Sequence, residues 1–240
     1  MTLRRYLRIL RTIPPIQLPY PVFSFVLAGL LGYLLGSLPT AFLLVRWKSR
    51  LDIRSAGSGN VGTLNSYQVT GSFLVGAAVL ALDAAKGIAA VSVSGLLPDH
   101  NFAHQACAGV CSILGHNFPV WLRFRGGRGL ATAAGVFSMF CWPLVPVWCL
   151  LRGGAYLVLR EVNPANAVAS LLLPLLLAVI PGFFLSRFTA GGIPGEEFTV
   201  FAAASMFVVL VKHLAPVRAY IEERRRARFR RHDTGGGGRS

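Results

Sequence analysis

Two short stretches hold most of the residues whose types and spacing suit chemistry on an anion. The first reads Asp52-Ile53-Arg54-Ser55-Ala56-Gly57-Ser58-Gly59-Asn60-Val61-Gly62. Its glycines permit positive φ and close backbone approach, and successive N–H groups in such turns make a nest for negative charge. A helix starting after Asn60 would add the partial positive charge of its N-terminus. Arg54 adds a full charge in the bidentate form that suits phosphate. The second stretch reads Gly115-His116-Asn117-Phe118-Pro119-Val120-Trp121-Leu122-Arg123-Phe124-Arg125-Gly126-Gly127-Arg128-Gly129. Here Arg125 and Arg128 flank a Gly126–Gly127 pair, and a helix is expected just after Gly129. Guanidinium groups, exposed amides and a helix N-terminus again make an anion cradle. The plainer reading of either stretch alone is a basic turn beside a membrane. Two on one side favour a shared anion site.

Other chemistries find less support. Gly57, Gly59 and Gly62 match G-x-G-x-x-G, with Asp83 about 20 residues on, where a ribose ligand would stand. A dinucleotide fold is rejected, because a polar loop precedes Gly57 and Asp83 lies inside an apolar run. No serine sits in G-x-S-x-G, and no histidine–aspartate pair has H-x-x-x-x-D spacing. Any acyl transfer must therefore work without a triad or that base. The four cysteines lack zinc spacing, and no grouped carboxylates would hold Mg²⁺, so neither metal nor cofactor is expected. Asp83 and Lys86 are three apart in an apolar run and can pair; Lys86 could instead face the anion. His116 reads as a packing histidine or an anion ligand, and His213 as an interfacial one. Asn163-Pro164 reads as a helix N-cap followed by proline at the first helical position, with Asn166 nearby.

The elements that must position these residues are membrane helices. Apolar residues make up 54% of the 240, and charged residues only 14%, with mean hydropathy +0.57. That leaves too few polar groups to cover a soluble globule and excludes a disordered chain. Lysine and arginine number 24 against 9 acidic residues. In an apolar chain this excess points to the positive-inside rule and anionic lipid before nucleic acid. Apolar runs cover residues 22–45, 73–97, 102–114, 130–159, 165–185 and 198–211. At about 20 residues per crossing, with a break near Trp142-Pro143, they give about seven transmembrane helices in an all-α integral membrane protein. The first run is too long for a signal peptide. Basic residues after the first, third, fifth and seventh spans place the glycine loops in the cytoplasm. Arg4, Arg5, Arg8 and Arg11 conflict with that orientation and are outweighed by the later loops. The expected organisation is a basic arm (1–21), a membrane domain (22–218) and a disordered basic tail (219–240) that lies on anionic lipid.

Three segments carry a resemblance: GSLPTAFLLVRWKSRLDIRSAGSGNVG (36–62), LDAAKG (82–87) and LGHNFPVWLRFRGGRGLATAAGV (114–136). In order, spacing and place they are similar to the bacterial acyl-phosphate:glycerol-3-phosphate acyltransferases, the PlsY family, over roughly residues 22–218. The resemblance implies a seven-helix bacterial inner-membrane protein with its pocket facing the cytoplasm. It implies transfer of an acyl chain from acyl phosphate to the 1-hydroxyl of glycerol 3-phosphate, giving lysophosphatidic acid for phospholipid biosynthesis. The partners implied are those two substrates and membrane lipid, without nucleic acid. Ser37, Arg54, Ser58, Gly59, Asn60, Asn65, Lys86, His116, Arg125, Gly126, Gly127, Arg128 and His213 stand where the family has the same or an equivalent residue. With Gly57, most of these are expected to bind substrate phosphate; Ser58, Asn163 and His213 are the catalytic candidates. Leu64, Gln68, Asn163, Asn166 and Pro216 depart from the usual Thr, Arg, Ser, Ser and Asn, which marks a divergent member.

The mechanism expected is positioning and charge stabilisation, because acyl phosphate is already activated. Arg125, Arg128 and the Gly126–Gly127 amides would hold one phosphate. Arg54, Ser58 and the Gly59–Asn60 amides would hold the other. The hydroxyl proton has two routes, to His213 or to the donor's own phosphate. A catalytically silent binder of phospholipid precursors and a small-anion transporter are the alternatives.

Overall fold

The structure, a computed structural model, describes residues 20–98 and 100–235. The four N-terminal arginines and the last five residues of the tail lie outside the described residues. Every apolar run of the sequence is mostly helical, with 165–185 broken at residues 180–181, and among the described residues no strand occurs. In chain order the helices are α1 (Tyr20–Gly36), α2 (Thr40–Ser49), α3 (Thr63–Thr70), α4 (Phe73–Ser94), α5 (Phe102–Asn117), α6 (Leu130–Cys141), α7 (Leu144–Leu159), α8 (Val162–Val179), the one-turn α9 (Gly182–Leu185) and α10 (Gly195–Gly235). Four stretches, Val22–Ser49, Phe73–Ser94, Val162–Val179 and Gly195–Ala227, are long and apolar enough to cross a membrane. Leu130–Cys141 and Leu144–Leu159 are shorter apolar helices, and the break between them falls at Trp142–Pro143.

Two expectations are corrected. The run 22–45 is two helices, interrupted at residues 37–39. Pro39 has no N–H to donate and disfavours helix at the residue before it. The tail beyond residue 218 continues α10 as helix to Gly235. Its Glu, Arg and Ala are strong helix formers, and Glu222 stands four residues before Arg226, a favourable spacing for an ion pair.

Glycine contacts bring the helices close. A Cβ on Gly32 or Gly36 would lie 2.3 or 2.0 Å from the carbonyl oxygens of Ala108 or Ser112 on α5. One on Gly87 or Gly135 would meet the backbone across the α4–α6 contact at 2.4 or 2.1 Å. Without a hydrophobic force between helices in lipid, such close backbone packing is the main source of their association. Phe102, Phe137, Phe140, Phe198 and Phe201 stack edge-on or tilted at one end of this bundle. The second glycine loop joins the opposite ends of α5 and α6. Leu74, Leu150, Val158, Val179 and Phe207 face outward, as a surface against hydrocarbon requires.

The break in the first run is tied to α4 by a buried ionic cluster. Lys86 Nζ lies 2.9 Å from Asp83 Oδ1 and donates to the Leu38 carbonyl at 3.1 Å, an acceptor it shares with the Thr40 N–H. Thr40 Oγ1 donates to Asp83 Oδ1 at 2.6 Å, and His116 Nδ1 stands 3.5 Å from the same oxygen. Asp83 and Lys86 side chains are only 2% and 5% exposed. Removing one partner alone therefore strands a charge in a low dielectric. Lys86→Met is expected to lower unfolding stability by about 3–5 kcal/mol, and Asp83→Asn in the same chain to recover much of it. Thermal unfolding in detergent checks this; a single variant as stable as the parent would contradict it.

Candidate functional site

The first glycine loop is built around one buried amide. Asn65, on α3, is 1% exposed. Its Nδ2 donates to the carbonyls of Ile53, Ala56 and Asn60, and its Oδ1 accepts from the Ser58 N–H at 2.9 Å. Gly57 has φ +59°, and a Cβ there would sit 2.2 Å from Asn65 Oδ1; positive φ and this close approach both demand glycine. Asn65 thus shapes the loop, and all its polar atoms are engaged within the protein. Asp52 caps the short helical turn Ile53–Ser55 by accepting from the Arg54 N–H at 2.9 Å. It also grips the Arg54 side chain through Nε and Nη2, the latter at 2.6 Å. Arg54 therefore brings to the groove a guanidinium that is already half neutralised.

The second loop uses its glycine pair for contact rather than for turning. Neither Gly126 nor Gly127 has positive φ. A Cβ on Gly126 would lie 2.1 Å from the His116 carbonyl oxygen, and one on Gly127 would lie 2.0 Å from His116 Nε2 and 2.5 Å from the Val61 carbonyl oxygen. Gly127 is thus where the two loops touch. The turn is carried by Arg123 and Phe124, at φ +52° and +62°.

The loops so joined line one open groove of about 720 Å³, with Arg54, Ser58, Gly59 and Asn60 on one wall and Arg125, Gly126, Gly127 and Arg128 on the other. Lys212 and Pro216 of α10 close it, and Lys212 Nζ lies 4.4 Å from the Phe118 ring centroid. Lys212 escaped the sequence reading: one lysine ending an apolar helix looks like any interfacial anchor, and only its place beside His213 marked it. The groove shares Asn60 and Arg128 with a deeper cleft of about 620 Å³. Its wall includes Gly62, Thr63, Gly129, Leu130, Ala131, Val162 and Asn166, so the N-terminal ends of α3, α6 and α8 all border it. Each end presents N–H groups without intrahelical partners and a partial positive charge. The cleft in turn shares Leu130 with an apolar pocket among α6, α7, α8 and α10, lined by Phe137, Trp148 and Met206.

Several expected contacts are placed differently. The N–H groups of Gly59 and Gly127 donate to the Ala56 and His116 carbonyls, and that of Ser58 to Asn65, so these three amides are not open to a ligand. Lys86 lines neither groove nor cleft; Asp83 and Leu38 hold it. His116 lines the cleft beside Asp83. His213 is fully buried. Its Nδ1 lies 2.9 Å from the Val209 carbonyl oxygen, which can only accept, so the proton is on Nδ1 and Nε2 carries the lone pair. That Nε2 is sealed from solvent without a hydrogen-bond partner among the described residues. Asn163 is no N-cap: Glu161 precedes the helix, and Asn163 Oδ1 accepts from Arg128 Nη1 at 2.5 Å.

The charge balance is one-sided. Asp52 is held down to about 2 by the side-chain hydrogen bonds from Arg54, helped by its backbone N–H, and stays ionised. Burial pushes the Arg128 guanidinium below its ordinary value, although arginine remains cationic. Because the Asp52 carboxyl is depressed from about 4, the stabilisation from its clamp is complete above about pH 4. It is lost as pH falls through about 2. In Arg54→Gln the Asp52 midpoint, read by carbon-13 NMR titration, is expected to move back up toward about 4. Gly127→Ala should lower unfolding stability by about 1–3 kcal/mol. Gly153→Ala, with nothing within 4 Å of the new Cβ, should raise it by up to about 1 kcal/mol. Equal melting temperatures for these two variants would refute the tight loop contact.

Residues 26–223 match the protein family described as glycerol-3-phosphate acyltransferase. The chain is 44% identical over 143 residues to the glycerol-3-phosphate acyltransferase of Myxococcus xanthus (strain DK1622), covering 59% of this chain and 71% of the relative. It is 34% identical over 197 residues to that of Mesorhizobium japonicum, covering 81% and 91%. Among solved structures it is similar to PlsY (YgiH), an integral membrane glycerol 3-phosphate acyltransferase. The glycerol 3-phosphate form has TM-score 0.65 and 27% identity and covers 84% of this chain and 94% of that one; the lysophosphatidic acid form superposes equally well.

Proposed function

We infer the reaction from one premise: this chain belongs to the glycerol-3-phosphate acyltransferase family. It is a multi-pass membrane enzyme that acylates glycerol 3-phosphate. The finer reading is that the donor is an acyl phosphate and the products are lysophosphatidic acid and inorganic phosphate. The observation that carries it is the meeting of two glycine–basic loops and Lys212 around a groove that leads, through a cleft bordered by helix N-termini, to an apolar pocket. The basic connections favour a bacterial cytoplasmic membrane with this groove facing the cytoplasm.

Both substrates are dianionic or nearly so, and two phosphates brought together repel. Arg125, Arg128 and Lys212 offset that repulsion at the groove. Ser58 Oγ and the Asn60 and Gly126 N–H groups are the remaining neutral donors there, and the free Nη1 edge of Arg54 adds a weaker charge. Asn65, Gly57, Gly59 and Gly127 hold the loops in register. Asn163, held through its oxygen by Arg128, keeps its amide N–H₂ as a further donor. The acyl chain enters the apolar pocket past Leu130, so the acyl carbon stands where polar groove and apolar pocket join.

The 1-hydroxyl oxygen of glycerol 3-phosphate attacks that carbon. A carbon–oxygen ester bond forms, the carbon–oxygen bond to phosphate breaks, and the hydroxyl proton leaves on the departing phosphate. This route needs no protein base. It suits a His213 whose lone pair is enclosed beneath Lys212 rather than open to the groove, leaving His213 to hold the α10 wall. Rate enhancement then comes from orientation and fixed positive charge.

The test is the full chain in membranes supplied with palmitoyl phosphate and glycerol 3-phosphate. Lysophosphatidic acid should form, and Arg128→Ala should lower kcat/KM by about 100-fold or more, the order expected for removing one buried charge partner. His213→Gln should cost far less than Arg128→Ala. Phosphate binding without product would identify a silent binder instead.

A further inference from the structure

α7 carries one cation in the middle of an otherwise apolar helix. Arg152 is half-buried there, and among the described residues no carboxylate lies within ion-pair distance of it. An intramembrane arginine is costly, and it is found facing a protein interior or cavity where it serves a site. Two contacts hold this one. Its guanidinium lies 5.7 Å from the centroid of the Tyr156 ring, and its Nε donates to Asn166 Oδ1 at 3.2 Å.

Asn166 is 6% exposed, lies in the first turns of α8 and lines the cleft. A guanidinium has no acceptor. The amide can therefore meet Arg152 in one way only, with its oxygen, which turns Nδ2 away. That Nδ2 has no protein acceptor among the described residues. The pattern repeats three residues earlier, where Arg128 Nη1 holds Asn163 Oδ1. Residues three apart share one face of a helix. Two arginines from different elements thus grip two neighbouring amides by their oxygens and leave both donor ends unused, next to the α8 N-terminus. Of the two, Asn166 lines the cleft, which shares Leu130 with the apolar pocket, so an N–H₂ donor is available there to an anion.

We propose that Arg152 is a positioning residue for the acyl donor: it locks Asn166 so that the amide N–H₂ donates to the donor's phosphate at the mouth of the apolar pocket. The proposal rests on the acyl-phosphate reading above. Arg152 makes no contact with substrate itself; it fixes which end of Asn166 the phosphate meets.

The test uses the full chain in detergent, with hexadecyl phosphate as an unreactive look-alike of the donor and palmitoyl phosphate as the reactive one. Asn166→Asp keeps the grip of Arg152, now on a carboxylate, but turns an oxygen toward the phosphate. It should weaken hexadecyl phosphate binding by more than about tenfold and raise the KM for palmitoyl phosphate in proportion, the range of one hydrogen bond to a charged group. The KM for glycerol 3-phosphate should stay within about twofold. Arg152→Met should weaken binding by about tenfold, and Arg152→Lys, which still donates to Oδ1, by less than about threefold. Asn166→Asp binding hexadecyl phosphate as tightly as the parent, or Arg152→Lys failing as badly as Arg152→Met, would overturn the proposal. If the parent forms no lysophosphatidic acid while Asn166→Asp still loses hexadecyl phosphate, the reaction assignment falls, and with it the donor role, while the Asn166 contact to an alkyl phosphate stands. Product formed with both variants unchanged gives the reverse.

Discussion

Positive charge without a counter-charge governs this structure. Asp52 is already engaged with Arg54 and Asp83 with Lys86. Arg125, Arg128 and Lys212 remain, with the N-terminal ends of three helices, and among the described residues no carboxylate pairs with them. Cations gathered beside hydrocarbon repel one another and are poorly screened. A doubly charged phosphate relieves that repulsion, so the site binds by completing a charge balance that the fold leaves open. Ligand binding to the folded state also stabilises it.

The scaffold exists to bring those charges together. Glycines at Gly32, Gly36, Gly87 and Gly135 let α1 approach α5 and α4 approach α6 to backbone contact. The loops are then short enough to meet at Gly127 and Val61. The buried Asp83–Lys86 pair has a different task. It grips both sides of the Pro39 break, the Leu38 carbonyl through Lys86 and Thr40 through Asp83, and holds α2 in place, so that the loop carrying Arg54 leaves the bundle on the groove side. Charge serves structure in that cluster and chemistry in the groove, although Asp83 and His116 also border the cleft.

Much of this was legible in the residues. The apolar runs are helices because only helices satisfy their own backbone in lipid. The helix after Gly129 and the break at Trp142–Pro143 fall where expected, and both glycine–basic loops line one groove. What escaped was set by partners distant in sequence. Asn163 looked like a cap because Asn-Pro is a good local signal, yet Arg128, 35 residues away, takes its oxygen. The break at Pro39 was passed over because hydropathy averaged across it stays high. The amides of Gly59 and Gly127 looked free because composition does not reveal turn hydrogen bonds. The Gly126–Gly127 pair suggests amides open to an anion, whereas its missing side chains make room for His116. Lys212 needed α10 to be placed before its charge had a destination.

The most direct measurement is an experimental structure of the full chain with glycerol 3-phosphate and hexadecyl phosphate bound together. The account predicts both phosphates in the joined groove and cleft. Arg128 should lie within hydrogen-bonding reach, about 3 Å, of at least one, and the alkyl chain should run past Leu130 into the apolar pocket. Phosphates bound elsewhere, with Arg125, Arg128 and Lys212 still facing solvent, would contradict it.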